Sequence, residues 1–205
     1  IFSYTQSIVN YFTLFAMLGV VNYGTRTIAD CGNDKAKRSK TFWNIYVFQL
    51  CCTLVSMGIY IFYLTKICSQ NGFIAFLQMF YLLGSLVDIN WLFFGVEKFK
   101  ITVSRNMVIR ICSVALILTM VKKPSDLWIY TIIMAGSTFL SNAILWFFAS
   151  KEIDVKAFKE VSKQEVIKHI KPNLVLFIPL MAMSVYHIMD KTMLGLLGTY
   201  KQVGY

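Results

Sequence analysis

The stretch "GFIAFLQMFYLLGSLVDINWLFFGV", residues 72–96, decides the fold. A helix of about 20 mostly apolar residues crosses the hydrocarbon core of a bilayer, and we predict such a helix over residues 73–95. Its one charged side chain is that of Asp88, and no other charge occurs over 67–96. This carboxylate needs an explanation, because a charge near the middle of a membrane costs at least ~2.5–3.5 kcal/mol.

The composition extends this interpretation to the whole chain. Hydrophobic residues make up 57% of the 205 residues and charged residues only 15%, whereas soluble domains average about 45–50% apolar and about 25% charged residues. A soluble fold is therefore excluded. We predict an all-α, polytopic transmembrane helix bundle with six spans, at about 4–24, 42–65, 73–95, 102–121, 127–149 and 172–195.

The basic residues orient these spans. Fifteen of the 20 lysines and arginines lie in or beside the connectors that follow the first, third and fifth spans. Basic connectors stay in the cytoplasm, so these three are predicted to be cytoplasmic. The net charge of +10 is thereby assigned to topology and not to nucleic-acid binding. An intact protein that begins in the cytoplasm would have an odd number of spans, most simply one, before Ile1.

The connector before the last span carries a helix signal of its own. "SKQE", residues 162–165, fits a capping box, and Val166 and Ile170 then give a short apolar face. We predict a cytoplasmic surface helix over about 162–171, with the binding of a regulator as the alternative for such a basic amphipathic segment. Pro172 follows where the span begins, and Pro179 within the span predicts a kink.

Asp88 is predicted to have a basic partner in the next span. If the hairpin turns near residue 99, Asp88 and Arg110 lie at similar depth, which predicts an ion pair or two charges that line one cavity. A pair that only fixes helix packing remains an alternative, as does an Arg110 that extends towards the cytoplasmic interface. On a continuous helix Asn90 would face a different neighbour. Asp88 itself would continue a polar stripe formed by Gln78, Tyr81 and Ser85.

Polar side chains on several spans indicate a cavity for a polar substrate. His187 in the last span is either a proton relay or a hydrogen-bonded packing residue, and Asp190 and Lys191 lie near its outer end, embedded or interfacial. The candidate cavity residues are Arg26, Asp88, Asn90, Arg110, His187, Asp190 and Lys191.

Catalytic and metal-binding signatures do not occur in the sequence. It contains no HExxH, GxSxG or CxxC pattern and no glycine-rich phosphate loop. The five cysteines show no metal-ligand spacing and are interpreted as small apolar core residues. We therefore expect a protein that is not an enzyme and that holds no cofactor or metal.

Several strings resemble one family over nearly the whole chain and in order. They are "YFTLFAMLGVVNYGTRTIA" (11–29), "DINWLFFGVEKFK" (88–100), "SRNMVIRI" (104–111), "DLWIYTIIMAGSTFLSNAILW" (126–146) and "HIKPNLVLFIPLMAMSVYHIMDKTMLGLLG" (169–198). They resemble the oligosaccharide (O-antigen and capsule repeat unit) flippases, which are bacterial polysaccharide biosynthesis membrane proteins. The larger superfamily includes the multidrug and toxin extrusion exporters and the lipid II flippase.

The resemblance implies a transporter of 12–14 helices in two lobes around a central cavity, in the bacterial cytoplasmic membrane. Residues 1–205 would then be an incomplete transporter domain that contains helices two to seven. Its implied activity is translocation of undecaprenyl-pyrophosphate-linked oligosaccharides by alternating access. Arg26 and Arg110 would bind the pyrophosphate, and Asp88 would hold Arg110 or exchange a coupling ion, H+ or Na+. The implied partners are the lipid-linked oligosaccharide, membrane lipids and other polysaccharide-assembly membrane proteins.

A non-catalytic membrane scaffold and two further functions remain open at this point. One is an ion-coupled exporter of small compounds on the same fold, for which an excess of buried carboxylates would argue. The other is a membrane-embedded polysaccharide polymerase or glycosyltransferase, which would usually need a large extracytoplasmic or nucleotide-sugar-binding loop.

Overall fold

A computed structural model describes residues 2–66 and 72–197, without the side chains of 186–188, 190–192 and 194–197. The described part is all-α. Short 3-10 helices at Pro124–Asp126 and Val155–Glu160 flank the seventh α-helix. The α-helices are α1 (Phe2–Met17), α2 (Val20–Ala29), α3 (Lys35–Lys66), α4 (Gly72–Leu86), α5 (Asn90–Gly95), α6 (Phe99–Met120), α7 (Leu127–Glu152) and α8 (Lys163–Leu197).

Six helical segments of the described chain are long and apolar enough to cross a membrane, which confirms the predicted polytopic bundle. Each overlaps one predicted span. The second begins in the basic connector, earlier than the predicted residue 42, because helix α3 continues beyond its apolar part. The segments are Phe2–Ala29, Lys35–Lys66, Gly72–Gly95, Phe99–Met120, Pro124–Glu152 and Lys163–Val185.

The first span is divided where a single helix was expected. Helix α1 ends before Leu18 and Gly19, which have φ angles of 41° and 79°. Glycine adopts such angles without steric cost, and it also permits close packing here, since a Cβ on Gly19 would lie 3.1 Å from Cβ of Phe177. Asn173 in α8 donates a hydrogen bond to the Leu18 carbonyl at 2.8 Å. The break is therefore held by α8.

Helix α8 contains all but the first residue of the segment 162–171 that was predicted to form a cytoplasmic surface helix leading into the last span. It begins at Lys163 and continues through Pro172 and Pro179 to Leu197, so the basic segment from Lys163 onwards is the first part of the same helix. Each proline removes one hydrogen-bond donor, and membrane helices tolerate this where neighbouring helices support them. Val166 and Ile170, near the start of α8, pack against the main hydrophobic core.

The three basic connectors meet at one end of the bundle, as the predicted orientation requires. Glu152, at the end of α7, is 7% exposed and forms ion pairs with Arg38 at the start of α3 and with Lys98 just before α6. Lys35 donates to the Lys151 carbonyl at 3.0 Å. One carboxylate thus ties the ends of three helices together at what we call the basic end.

Candidate functional site

The third span is also divided, and the break lies at Asp88. Helix α4 ends at Leu86 and α5 begins at Asn90. A helix end leaves its last carbonyls without partners, and hydrocarbon cannot supply them. Side chains of α3 and α7 supply donors to five successive carbonyls: Asn142 to Gly84 (3.0 Å), Gln49 to Ser85 and Asp88 (both 2.8 Å), Tyr46 to Leu86 (3.0 Å) and Trp146 to Val87 (3.0 Å).

Short helix α5 is fixed by tight packing against α2. Trp91 is fully buried and donates its indole N–H to Oε1 of Gln49 at 2.9 Å. A Cβ on Gly24 would lie 2.6 Å from the Trp91 ring, and a Cβ on Gly95 would lie 2.6 Å from the Ile28 side chain. The two glycines therefore allow α2 and α5 to approach closely, and α5 cannot shift without moving α2.

Asp88 and Asn90 form a local turn that starts α5. Oδ1 of Asp88 accepts hydrogen bonds from the Asn90 backbone N–H at 2.9 Å and from its side-chain amide at 2.7 Å. Aspartate commonly caps a turn or helix start in this way. The prediction that Asn90 faces a different neighbour from Asp88 was wrong, because it assumed a continuous helix through residues 87–89.

Arg105 is the basic residue that is joined by a hydrogen bond to the turn of Asp88 and Asn90. It is 8% exposed, and its Nη2 donates to Oδ1 of Asn90 at 2.9 Å while its Nη1 donates to the Ser141 carbonyl. Asn90 therefore bridges the Asp88 carboxylate and the Arg105 guanidinium. Asn142 completes the bridge from α7 by accepting from the Asn90 amide at 3.0 Å. We call Asp88, Asn90, Arg105 and Asn142 the bridge network.

The predicted ion pair between Asp88 and Arg110 does not form. The ion pairs of the described residues join Arg38 and Lys98 to Glu152 and Lys168 to Glu165. Residues 105 and 110 are five positions apart, about 140° around a helix at roughly 100° per residue. With Arg105 turned into the bundle, Arg110 points to another side and its side chain is exposed. The structure instead places Asp88 and Arg110 on one cavity, the other predicted arrangement.

That cavity lies between α6 and α7, beside the break, and has a volume of about 560 Å³. Its lining offers hydroxyl, amide, carboxylate and guanidinium groups, all from segments long enough to cross a membrane. It can therefore hydrogen-bond a polar molecule at membrane depth. The lining residues are Asp88, Asn90, Asn106, Ile109, Arg110, Ser113, Val114, Ile117, Met134, Ser137, Thr138, Ser141 and Asn142.

The other predicted cavity residues do not share this place. Arg26 is exposed on α2 and lines a different groove, between α2 and α8, together with Lys171. The side chains of His187, Asp190 and Lys191 lie outside the described residues. The predicted set is thus divided: Asp88, Asn90 and Arg110 line one cavity, Arg26 lies elsewhere, and the roles of the last three stay predictions.

Polar side chains of α3, in the second span, form hydrogen bonds to the backbones of neighbouring helices. Gln49 caps the break, Thr53 donates to the Ala16 carbonyl at 3.4 Å, and Tyr60 donates to the Ala75 carbonyl at 2.6 Å. These side chains satisfy the backbones of α1 and α4. Interhelical hydrogen bonds of this kind are common in membrane bundles, so these residues do not by themselves indicate a substrate.

The fold and the cavity define a multi-pass membrane protein with a polar site at a break in one of its spans. A family model described as polysaccharide biosynthesis protein matches residues 1–205. The chain therefore belongs to that family, and the resemblance seen in its sequence motifs is confirmed at this level. No curated protein and no solved structure matches the chain.

Proposed function

We propose that the protein acts in polysaccharide assembly as a flippase, not as an enzyme. Its substrate would be an oligosaccharide repeat unit linked to undecaprenyl pyrophosphate, carried across the bacterial cytoplasmic membrane by alternating access. The proposal rests on the family, which concerns polysaccharide biosynthesis. The observation that carries it is the polar cavity between α6 and α7.

The chemistry of the substrate matches the lining of the cavity. Sugar hydroxyls and a diphosphate lose their hydrogen bonds to water in hydrocarbon, at a cost of several kcal/mol for each unsatisfied group. The hydroxyls of Ser113, Ser137 and Thr138 and the amide of Asn106 can replace those bonds. Such a lining suits a sugar better than an apolar solute.

Arg110 is our candidate for the group that binds the diphosphate. A guanidinium presents a planar fork of donors that matches phosphate oxygens. Arg105 is engaged with Asn90, Ser141 and Asn106, whereas Arg110 forms none of the ion pairs found among the described residues. In this proposal Arg105 positions the site and Arg110 contacts the substrate.

Asp88 is our candidate for the residue that couples transport to an ion, H+ or Na+. Its carboxylate sits at a broken helix, and broken membrane helices in transporters commonly carry substrate and ion sites. The charges near the cavity favour an anionic substrate over the cationic compounds of an exporter, because two guanidinium groups accompany one carboxylate. A polymerase would need a large extracytoplasmic loop, and the described connector after α6, residues 121–126, is short.

The test uses the full-length protein in cells that lack their own flippase. We expect it to restore the appearance of lipid-linked repeat units in the outer leaflet, measured by labelling of their sugars from outside the cell. A folded, membrane-inserted protein that leaves all repeat units in the inner leaflet would contradict the proposal. Longer polysaccharide chains without increased delivery would instead support the polymerase.

A further inference from the structure

A second polar feature lies at the basic end, away from the cavity just described. Helices α2 and α8 border a groove of about 600 Å³, with Arg26, Thr27 and Asp30 on one wall and Lys171 on the other. The groove continues along α8 as far as Val175 and Leu176. It thus joins a charged end to an apolar strip.

The two cations of the groove, Arg26 and Lys171, are exposed and form no ion pair within the described part of the chain. Other basic residues of this end, Arg38 and Lys98, are paired with Glu152. Asp30 also lines the groove, one helical turn beyond Arg26, so the groove carries a net charge of about +1.

The walls of the groove are held at a fixed separation. The Tyr23 hydroxyl lies 2.6 Å from Nδ1 of His169, which joins α2 to α8 beside the groove. Asn173, two residues beyond Lys171, donates to the Leu18 carbonyl at 2.8 Å. With α8 tied to α2 at Tyr23 and to the break before α2 at Leu18, Arg26 and Lys171 line one groove without a folding step, and such preorganisation favours binding.

The groove has the shape and charge of a site for an amphiphile. Lys171 is the last lysine of the basic start of α8, whereas Val175, one turn further along and 60% exposed, lies in the stretch 172–189, which carries no Asp, Glu, Lys or Arg. A ligand here meets cations at the membrane surface and apolar side chains below. The single net positive charge matches one phosphodiester, with one negative charge, better than a pyrophosphate.

We propose that this groove binds an anionic phospholipid of the bilayer. Arg26 and Lys171 contact the oxygens of its phosphodiester, and its acyl chain lies along Val175 and Leu176. The site is separate from the cavity of the proposed flippase, and its test measures lipid binding and not transport. Failure of one proposal therefore leaves the other standing.

The first test measures lipid retention by native mass spectrometry of the full-length protein. Phosphatidylglycerol should bind more tightly than phosphatidylcholine and than a neutral glycolipid. The variant with Arg26→Gln and Lys171→Gln should bind phosphatidylglycerol about tenfold or more weakly, since charge-assisted hydrogen bonds are lost. Lys37→Gln, which removes an exposed charge at the same end but outside the groove, should bind as the wild type does.

The second test needs no variant and covers the case in which the double variant fails to fold. In wild-type protein, phosphatidylglycerol should slow the acetylation of Lys171 by an amine-reactive reagent severalfold, while Lys37 reacts at an unchanged rate. Equal rates at Lys171 with and without the lipid would overturn the proposal. So would wild-type affinity in a folded double variant, or displacement of the phospholipid by equimolar polyprenyl pyrophosphate.

Discussion

Asp88 and Arg105 lie on opposite sides of one asparagine side chain. The Asn90 amide donates to Oδ1 of Asp88 at 2.7 Å, and its oxygen accepts from Nη2 of Arg105 at 2.9 Å. The carboxylate and the guanidinium are therefore coupled without direct contact. A buried charge is tolerated where hydrogen bonds and an opposite charge compensate it, and here Asn90 supplies that connection inside a membrane-spanning segment.

Replacing Asn90 should destabilise the protein, because Asn90 connects the buried Asp88 carboxylate to the Arg105 guanidinium. Asn90→Ala leaves the Asp88 carboxylate and the Arg105 guanidinium each without a bridging partner, and we expect a loss of about 2–3 kcal/mol in unfolding free energy. The measurement is thermal unfolding of the purified full-length protein in detergent. Asn22→Ala, at an exposed asparagine of α2, is the control and should change stability little. Equal stability of the two variants would contradict the bridging role.

The two arginines of α6 should behave differently. Arg105→Gln removes a buried charge from a hydrogen-bonded network and should lower the unfolding free energy by about 3 kcal/mol. Arg110→Gln should leave stability nearly unchanged, because the side chain is exposed, but should reduce delivery of repeat units at least tenfold. Lys100→Gln, an exposed cation on the same helix away from the cavity, is the control for delivery. Normal delivery by Arg110→Gln would remove Arg110 from the substrate site.

Among the side chains that donate to the carbonyls at the break of the third span, Gln49 should be the one whose replacement lowers stability most. Gln49→Leu keeps a similar volume but removes two donor contacts to carbonyls and the acceptor for the Trp91 indole. Buried groups left without partners cost about 1–3 kcal/mol each, so a fall of several kcal/mol is expected in thermal or denaturant unfolding. Gln164→Leu, at an exposed position near the start of α8, should be close to neutral. A Gln49→Leu protein as stable as this control would show that water takes over the hydrogen bonds that Gln49 makes at the break.

Glycine substitutions should separate close packing from helix propensity. Gly95→Ala places a Cβ 2.6 Å from Ile28 and 2.8 Å from the Thr25 carbonyl oxygen, so α2 and α5 must move apart, and we expect a loss of about 1–3 kcal/mol. At Gly58 in α3 an added Cβ meets nothing within 4 Å. Gly58→Ala should therefore stabilise the helix by up to about 1 kcal/mol. Thermal unfolding measures both changes in stability. If both substitutions stabilised the protein, or both destabilised it, the packing argument would be contradicted.

Apolar runs and basic connectors were enough to predict the number, order and common end of the spans. A membrane-spanning helix needs about 20 mostly apolar residues, and apolar stretches of that length are visible in a sequence. The interruptions are local and depend on partners from other helices. The break at Asp88 exists because Tyr46, Gln49, Asn142 and Trp146 cap it, and their convergence is not visible in the sequence.

One local signal would have improved the predicted site. An aspartate side chain often accepts a hydrogen bond from the backbone N–H two residues on, in an Asx turn, and this possibility would have placed Asp88 beside Asn90. Arg105 and Arg110 both lie within the predicted span 102–121 and within α6. They face different sides of the helix, and the sequence alone does not show which of the two is turned into the bundle.

The pairing of the two short helices has a mechanical consequence. Helix α2 follows the break in the first span and α5 follows the break in the third, and glycines seat each against a large side chain of the other. Because these approaches leave no room for one helix to shift against the other, a displacement of α2 would have to carry α5 with it. A change at the break beside Gly19 would therefore require a change at residues 87–89, although the two lie far apart in sequence.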